Sequence, residues 1–126
     1  MAWHACHFGF GPIYISFSFR LKQDITKFGR HSGNDFYLDS SKLVHFISRW
    51  HAEVHREESN TGTKYFIRDN SLNGTYVNEY RVLGKRELKE GDHVVFGHIN
   101  GKNIKAGEYA KQVESEFHFM VRFPLH

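Results

Sequence analysis

Cysteine occurs once in the 126 residues and proline twice. A single cysteine excludes an internal disulfide framework and fits a reducing compartment. Long hydrophobic runs are also missing. The apolar stretches extend over a few residues, far short of the ~20 that a membrane-spanning helix needs. The N-terminus has no cationic segment leading into an apolar run, so no secretory signal is expected. No long window keeps the i, i+3, i+4, i+7 stripe of an amphipathic helix. Residues 105–113 are the best helical segment, and a poor one. Nor does either charge sign dominate: 17 Lys and Arg against 14 Asp and Glu leave +3, with a pI near 9.0. That admits an acidic partner but does not single out a polyanion. The expectation is one soluble, intracellular domain, since domains most often hold about 100–150 residues.

Aromatic residues are plentiful, with 12 Phe and 6 Tyr in a chain that is 40% hydrophobic. Such a chain can bury a core, and the disorder signature of few aromatics and high net charge is absent. Residues 15–21 alternate Ile15, Phe17, Phe19, Leu21 with Ser16, Ser18, Arg20. Residues 117–123 alternate Phe117, Phe119, Val121, Phe123 with His118, Met120, Arg122. Shorter candidates lie at 25–28, 36–38, 52–55, 65–67, 75–77 and 94–96, and period two is the mark of strands with one buried face. Turn residues separate them: Gly29, Ser32-Gly33-Asn34, Asn60-Thr61-Gly62, Asn73-Gly74, Glu90-Gly91-Asp92 and Asn100-Gly101. Short strands with frequent turns predict an all-β fold, a two-sheet antiparallel β-sandwich of about eleven strands. Residues 98–115 break the rhythm. They form a long polar loop before the last strand, longer than most connections.

A sandwich gathers its loops at two ends, where distant residues converge. Three segments carry polar groups that a scaffold would not need. They are Gly29-Arg30; Ile47-Ser48-Arg49-Trp50-His51; and Asp69-Asn70-Ser71-Leu72-Asn73-Gly74-Thr75, followed by Tyr76-Val77-Asn78. In this order and spacing they resemble the forkhead-associated (FHA, SMAD-like) domain, a module that reads phosphothreonine. Leu88-Lys89-Glu90-Gly91-Asp92 and then residues 94–97 are similar to the family's late strand. The resemblance spans roughly residues 13–123, so residues 1–11 are an N-terminal extension and 12–126 the domain, with an insert at about 98–115. It implies a phosphothreonine-dependent peptide-binding adaptor in nuclear or signalling complexes such as transcription or the DNA-damage response. It also implies no enzymatic activity, no cofactor, and a nuclear or otherwise intracellular location.

The implied site has a physical logic. A phosphothreonine brings about −1.5 to −2 charges and three strong acceptor oxygens. The Arg30 guanidinium can fork two N–H groups onto the phosphate, a geometry lysine lacks. Ser48 offers a short hydroxyl donor. Arg49 supplies a second cation or, with Ser48, backbone N–H groups. The Asn73 amide both donates and accepts, so it can bracket the peptide backbone, and Leu72 contributes to the peptide surface. Gly29, His51, Gly74 and Asn78 are assigned to support: Gly74 to a turn with positive φ, His51 to hydrogen bonds joining loops, Asn78 to loop organisation. Trp50 fits either the core or the peptide surface. By the resemblance, residue preference beyond the phosphothreonine resides in residues 40–46, Leu72 and the insert.

Other readings compete. Ten histidines invite a metal: His4, Cys6 and His7 cluster, and His51 and His55 sit four apart, but no second spaced pair completes a zinc set. Without Met1, Ala2-Trp3-His4 could wrap Cu(II) or Ni(II) in a square plane. Ser48 near His51 lacks an orienting acid and an oxyanion loop, which argues against nucleophilic catalysis. Lys85, Arg86, Lys89, Lys102, Lys105 and Lys111 could track nucleic-acid phosphates, yet no aromatic platform is interleaved with them. A phosphate-independent interaction or dimerisation scaffold is the remaining alternative.

Overall fold

The computed structural model describes residues 2–4, 24–38, 44–112 and 117–122. The strand expected at 15–21 and the residues Cys6 and His7 lie outside these. Ten strands are present among the described residues: β1 (Ala2–His4), β2 (Ile25–Gly29), β3 (Phe36–Tyr37), β4 (Ala52–Ser59), β5 (Gly62–Asp69), β6 (Thr75–Val77), β7 (Tyr80–Arg81), β8 (Lys85–Glu87), β9 (His93–Phe96) and β10 (His118–Arg122). They form two five-stranded sheets, ordered β1-β10-β9-β6-β7 and β3-β2-β4-β5-β8. This is the all-β sandwich that the alternation predicts. All pairings are antiparallel except β2 with β3, which run parallel. The stretch at residues 2–4 pairs with β10 as an edge strand.

Period two decides what each strand buries. Thr26 and Phe28 of β2, Ala52 and Val54 of β4, and Tyr65 and Ile67 of β5 point inward. Val94 and Phe96 of β9 and Phe119 and Val121 of β10 meet them from the other sheet. Phe28 stacks on Phe96 of the other sheet at 5.2 Å, and within each sheet a second ring extends the contact, Phe36 on Phe28 at 5.0 Å and Phe119 edge-on to Phe96 at 5.5 Å. Aromatic pairs in such geometry contribute about 0.5–1.5 kcal/mol each beyond their area burial.

In β6 and in residues 94–96 of β9, alternation gives way to continuous burial. The cause is a second apolar cluster on the outer face of the first sheet, where Tyr76 and Val95 lie with Ala110 and Ile104 of the long loop. A strand covered on both faces has no polar side to show. The loop is therefore a packed lid. Its backbone also caps the β7 edge, with Arg81 N donating to Glu108 O at 2.9 Å, Gly107 N to Arg81 O at 2.9 Å and Ala110 N to Glu79 O at 2.8 Å. Among its described residues the one short helix is a 3-10 turn at Gly101–Asn103. Residues 105–112 are not helical, a correction to the sequence expectation. Edge pairing supplies their hydrogen bonds instead.

Candidate functional site

Backbone hydrogen bonds join three loops at one end of the sandwich. Arg30 N donates to Ser48 O at 2.9 Å and His31 N to Arg49 O at 3.1 Å, so the loop after β2 lies along the loop before β4. Gly29 permits this approach: a β-carbon there would collide with the Arg49 carbonyl. Asn34 tightens the join, its Nδ2 donating to His31 O at 2.8 Å and to Arg49 O at 2.7 Å. Asn70 N donates to His51 O at 2.9 Å, which brings in the loop after β5.

Within that frame Arg30 is half-buried. Its Nε donates to Ile47 O at 3.0 Å, which fixes the plane of the guanidinium, while its two terminal nitrogens have no partner among the described residues. Ser48 Oγ accepts the Leu72 N–H at 3.0 Å. The bond uses the hydroxyl as an acceptor and leaves its proton free for an incoming oxygen. Ser48 N donates to His51 Nδ1 at 3.0 Å. The Ser48 backbone N–H, expected as a phosphate donor, is thus already committed, and Arg49 N–H is the one left without a partner among the described residues. The Arg49 side chain is exposed.

His51 is fully buried at the centre. Because Nδ1 accepts from Ser48, Nε2 carries the proton and donates to Gly74 O at 2.8 Å. One neutral ring thus links loops 23 residues apart. Burial lowers its pKa to about 4, although the Gly74 carbonyl and Asp69 oppose the shift. Gly74 has φ of +96°, the left-handed region that a β-carbon resists, and such an atom would also strike the Tyr76 ring.

Asn73 is anchored at three points. Its Nδ2 donates to His45 O at 3.2 Å, its carbonyl accepts the Tyr76 hydroxyl at 2.9 Å, and its backbone touches Gly101 so closely that a β-carbon at Gly101 would overlap it. Burial raises the Tyr76 pKa to about 12, so that hydroxyl remains a donor. Leu72 stands at the tip, 72% exposed. The structure thus gathers Gly29, Arg30, Ser48, Arg49, His51, Leu72, Asn73 and Gly74. It does not gather Asn78, which sits at φ +51° in the β6–β7 turn and exchanges hydrogen bonds with Asp92 and the His93 N–H.

A second layer holds the loop of Ser71 to Gly74. Asp69 Oδ1 accepts from Ser71 N, Ser71 Oγ and Thr75 Oγ1 at 3.0, 2.6 and 3.0 Å, and Ser71 Oγ in turn accepts Gly74 N–H at 2.7 Å. Arg81 lies 3.6 Å from Asp69 Oδ2, donates to Leu72 O at 3.2 Å, and reaches the long loop at Gly101 O, 2.7 Å, and Ile104 O. Sequence reasoning placed Asp69 at the start of the third polar segment without giving it a role, and it missed Asn34 and Arg81 as site-building residues. For Asp69, the Asp-x-Ser spacing of an Asx turn was an available signal. Arg81 gave none, since its carbonyl partners are distant in sequence.

No metal-ligating group of three His, Cys, Asp or Glu exists among the described residues. A shallow cavity of about 240 Å³ is lined by Lys27, Asn34, Trp50, Ala52, Glu53 and Asn70. Trp50 is 46% exposed, not core, with the His31 ring stacked on it at 4.8 Å.

Residues 26–97 match the sequence profile of the FHA domain. The chain belongs to the FHA domain family. It is 41% identical over 101 residues to the Caenorhabditis elegans protein Germ layers disorganized gldi-3, covering 75% of this chain and 11% of that one. It is 39% identical over 80 residues to the oxoglutarate dehydrogenase inhibitor of Corynebacterium jeikeium, covering 63% of this chain and 49% of that one. The chain therefore spans half or less of these relatives. Among solved structures, Mycobacterium tuberculosis EmbR in complex with a low-affinity phosphopeptide superposes with a TM-score of 0.57 at 31% identity, over 74% of this chain and 21% of that one. An FHA domain from Chlamydia trachomatis CT664 superposes with a TM-score of 0.63 at 18% identity, over 98% and 97% of the two chains, which shows the shared fold. In this FHA domain the family profile ends at residue 97, so the loop lid lies beyond it.

Proposed function

We propose that this FHA domain binds phosphothreonine-containing peptides, as an adaptor rather than an enzyme. One observation carries the reading. The terminal nitrogens of Arg30 and the hydroxyl proton of Ser48, without partners among the described residues, sit on loops bonded together through Arg30 N and Ser48 O. Two donors of this kind are what a phosphate's oxygens require, and Arg49 adds a second cation. Asn73, held at three points, then brackets the peptide backbone. The EmbR complex, 31% identical, supports the same ligand class.

Each hydrogen bond to a charged group contributes roughly 1.5–3 kcal/mol. Three such bonds, less the ordering of the peptide, suit micromolar affinity, about −8 kcal/mol. A nuclear or signalling setting inside the cell is part of the same proposal, consistent with the lone cysteine. Localisation of the tagged full-length protein checks it. Binding is tested by anisotropy with a fluorescent phosphothreonine peptide library. Signal should appear, vanish after phosphatase treatment, and vanish for Arg30→Ala, whose melting curve should stay within about 0.5 kcal/mol of the parent because Arg30 is half-exposed. Undiminished binding by Arg30→Ala would refute the site.

A further inference from the structure

The cavity of about 240 Å³ is distinct from the loop tips: Arg30, Ser48, Arg49, Leu72 and Asn73 do not line it. It opens on the outer face of the second sheet. Thr26, Phe28, Ala52 and Val54 point inward, so Lys27 and Glu53, directly opposite each other on β2 and β4, point outward and line the cavity. Trp50 adds an aromatic wall. Its ring is half-exposed yet held in place. The His31 ring stacks on it at 4.8 Å, His31 Nδ1 is fixed by the Gly33 N–H, and a β-carbon at Gly33 would reach the indole at 3.2 Å. An exposed ring that is already ordered loses little entropy when a ligand covers it.

The polar groups of the cavity are incompletely used. Asn34 is buried, and its Nδ2 donates to two carbonyls, which fixes Oδ1 as an acceptor. That oxygen has no partner among the described residues. A buried acceptor without a donor is costly and rare. Glu53 Oε2 is bonded to His55 Nε2 at 2.8 Å, and its other oxygen has no partner among the described residues. The Lys27 ammonium stands 5.8 Å from the centre of the indole ring and forms no ion pair among the described residues.

These groups select by elimination. A guanidinium or ammonium would enter beside Lys27, which already holds the cation's place over the indole. A carboxylate would face Glu53 and the Asn34 acceptor. A phenyl ring would pack on Trp50 but leave the Asn34 oxygen without a donor. A phenol satisfies all three: its ring packs on the indole, its O–H donates to Asn34 Oδ1 or Glu53 Oε1, and its oxygen accepts from Lys27.

We propose that this cavity is a second binding site and that it takes a tyrosine side chain of a partner protein. The contact needs no phosphate, so it stands independently of the phosphothreonine reading. Tyrosine is among the residues enriched where interfaces concentrate their binding energy.

The test titrates the chain with three blocked tripeptides, acetyl-Gly-X-Gly-amide with X as Tyr, Phe or Arg, followed by nuclear magnetic resonance. The Tyr peptide should bind with a Kd on the order of 1 mM. It should shift the Trp50 indole N–H, a signal assigned by its loss in Trp50→Ala. The Phe peptide should bind about fivefold to tenfold more weakly, and the Arg peptide more weakly still. Trp50→Ala should fold normally, since the side chain is half-exposed, and lose the Tyr peptide. Lys27→Ala should bring the Arg peptide to within about threefold of the Tyr peptide. Arg30→Ala should bind the Tyr peptide as the parent does. Failure of the parent to bind the Tyr peptide, equal binding of Tyr and Phe, or a parent preference for Arg would overturn the proposal. So would unchanged binding by Trp50→Ala, an Arg peptide still rejected by Lys27→Ala, or loss of the Tyr peptide in Arg30→Ala, which would put the contact at the loop tips.

Discussion

At the scale of single residues, histidine is the informative type. The ten in the chain invite a metal or a catalytic base, and the structure gives four of them other work. His51 and His98 each accept a backbone N–H through Nδ1 and donate through Nε2 to a carbonyl, so each staples two loops. His31 accepts Gly33 N–H at 2.9 Å and supports Trp50. His55 pairs with Glu53 at 2.8 Å. For His51 the staple has a pH consequence. Its folded pKa of about 4 lies below the ordinary 6.5. Between those values the unfolded chain binds more protons, so stability falls as pH falls through that window and is fully present above it. The loss amounts to about 2 kcal/mol by about pH 5. His118, lowered to about 4 chiefly by burial and then by the charge of His93, acts in the same direction. Urea unfolding at about pH 7.5 and about pH 5 should show this loss. His51→Gln should be less stable at the higher pH and lose less on acidification. A flat stability between the two pH values would contradict the assignment.

At the scale of elements, strands and loops were not equally legible. The central strands could be read because their inward positions are large and apolar: Phe28, Val54, Ile67, Phe96, Phe119. β7 and β8 could not, being two- and three-residue edge strands of polar sequence, too short for a period to repeat. The lid was legible only as a break in rhythm, because what orders it is Arg81 reaching distant carbonyls. Most of the candidate site residues, and Gly29, His51 and Gly74 among their supports, were visible as spaced motifs, but Asn34 and Arg81 were not, since both reach carbonyls of other loops. Gly29 shows what the motif alone conceals: the position is needed because two loops touch there. Gly29→Ala should shift one of those loops, cost about 1–3 kcal/mol by overpacking, and weaken phosphopeptide binding. A melt and an anisotropy titration on one preparation check both. Affinity retained alongside lost stability would separate the contact from the site.

At the scale of the molecule, a charge of +3 on 126 residues can serve two kinds of ligand, and salt tells them apart. A nucleic-acid binder neutralises many phosphates and releases condensed counterions, losing about 10³–10⁵ in affinity between 50 and 200 mM salt for 6–10 contacts. In this domain several cations are already engaged: Lys85 pairs with Glu57, Arg56 with Asp24 and Glu58, Arg81 with Asp69. Arg30, whose terminal nitrogens have no partner among the described residues, and the exposed Arg49 stand on two loops bonded to each other. A short phosphopeptide carries no condensed ion atmosphere, so screening of the one phosphate is what salt can change. Its affinity should therefore fall by less than about tenfold over that same range. Duplex DNA in excess should not displace the peptide. A steep salt slope, or displacement by DNA, would move the function from the loop tips to the lysines spread over β8 and the lid.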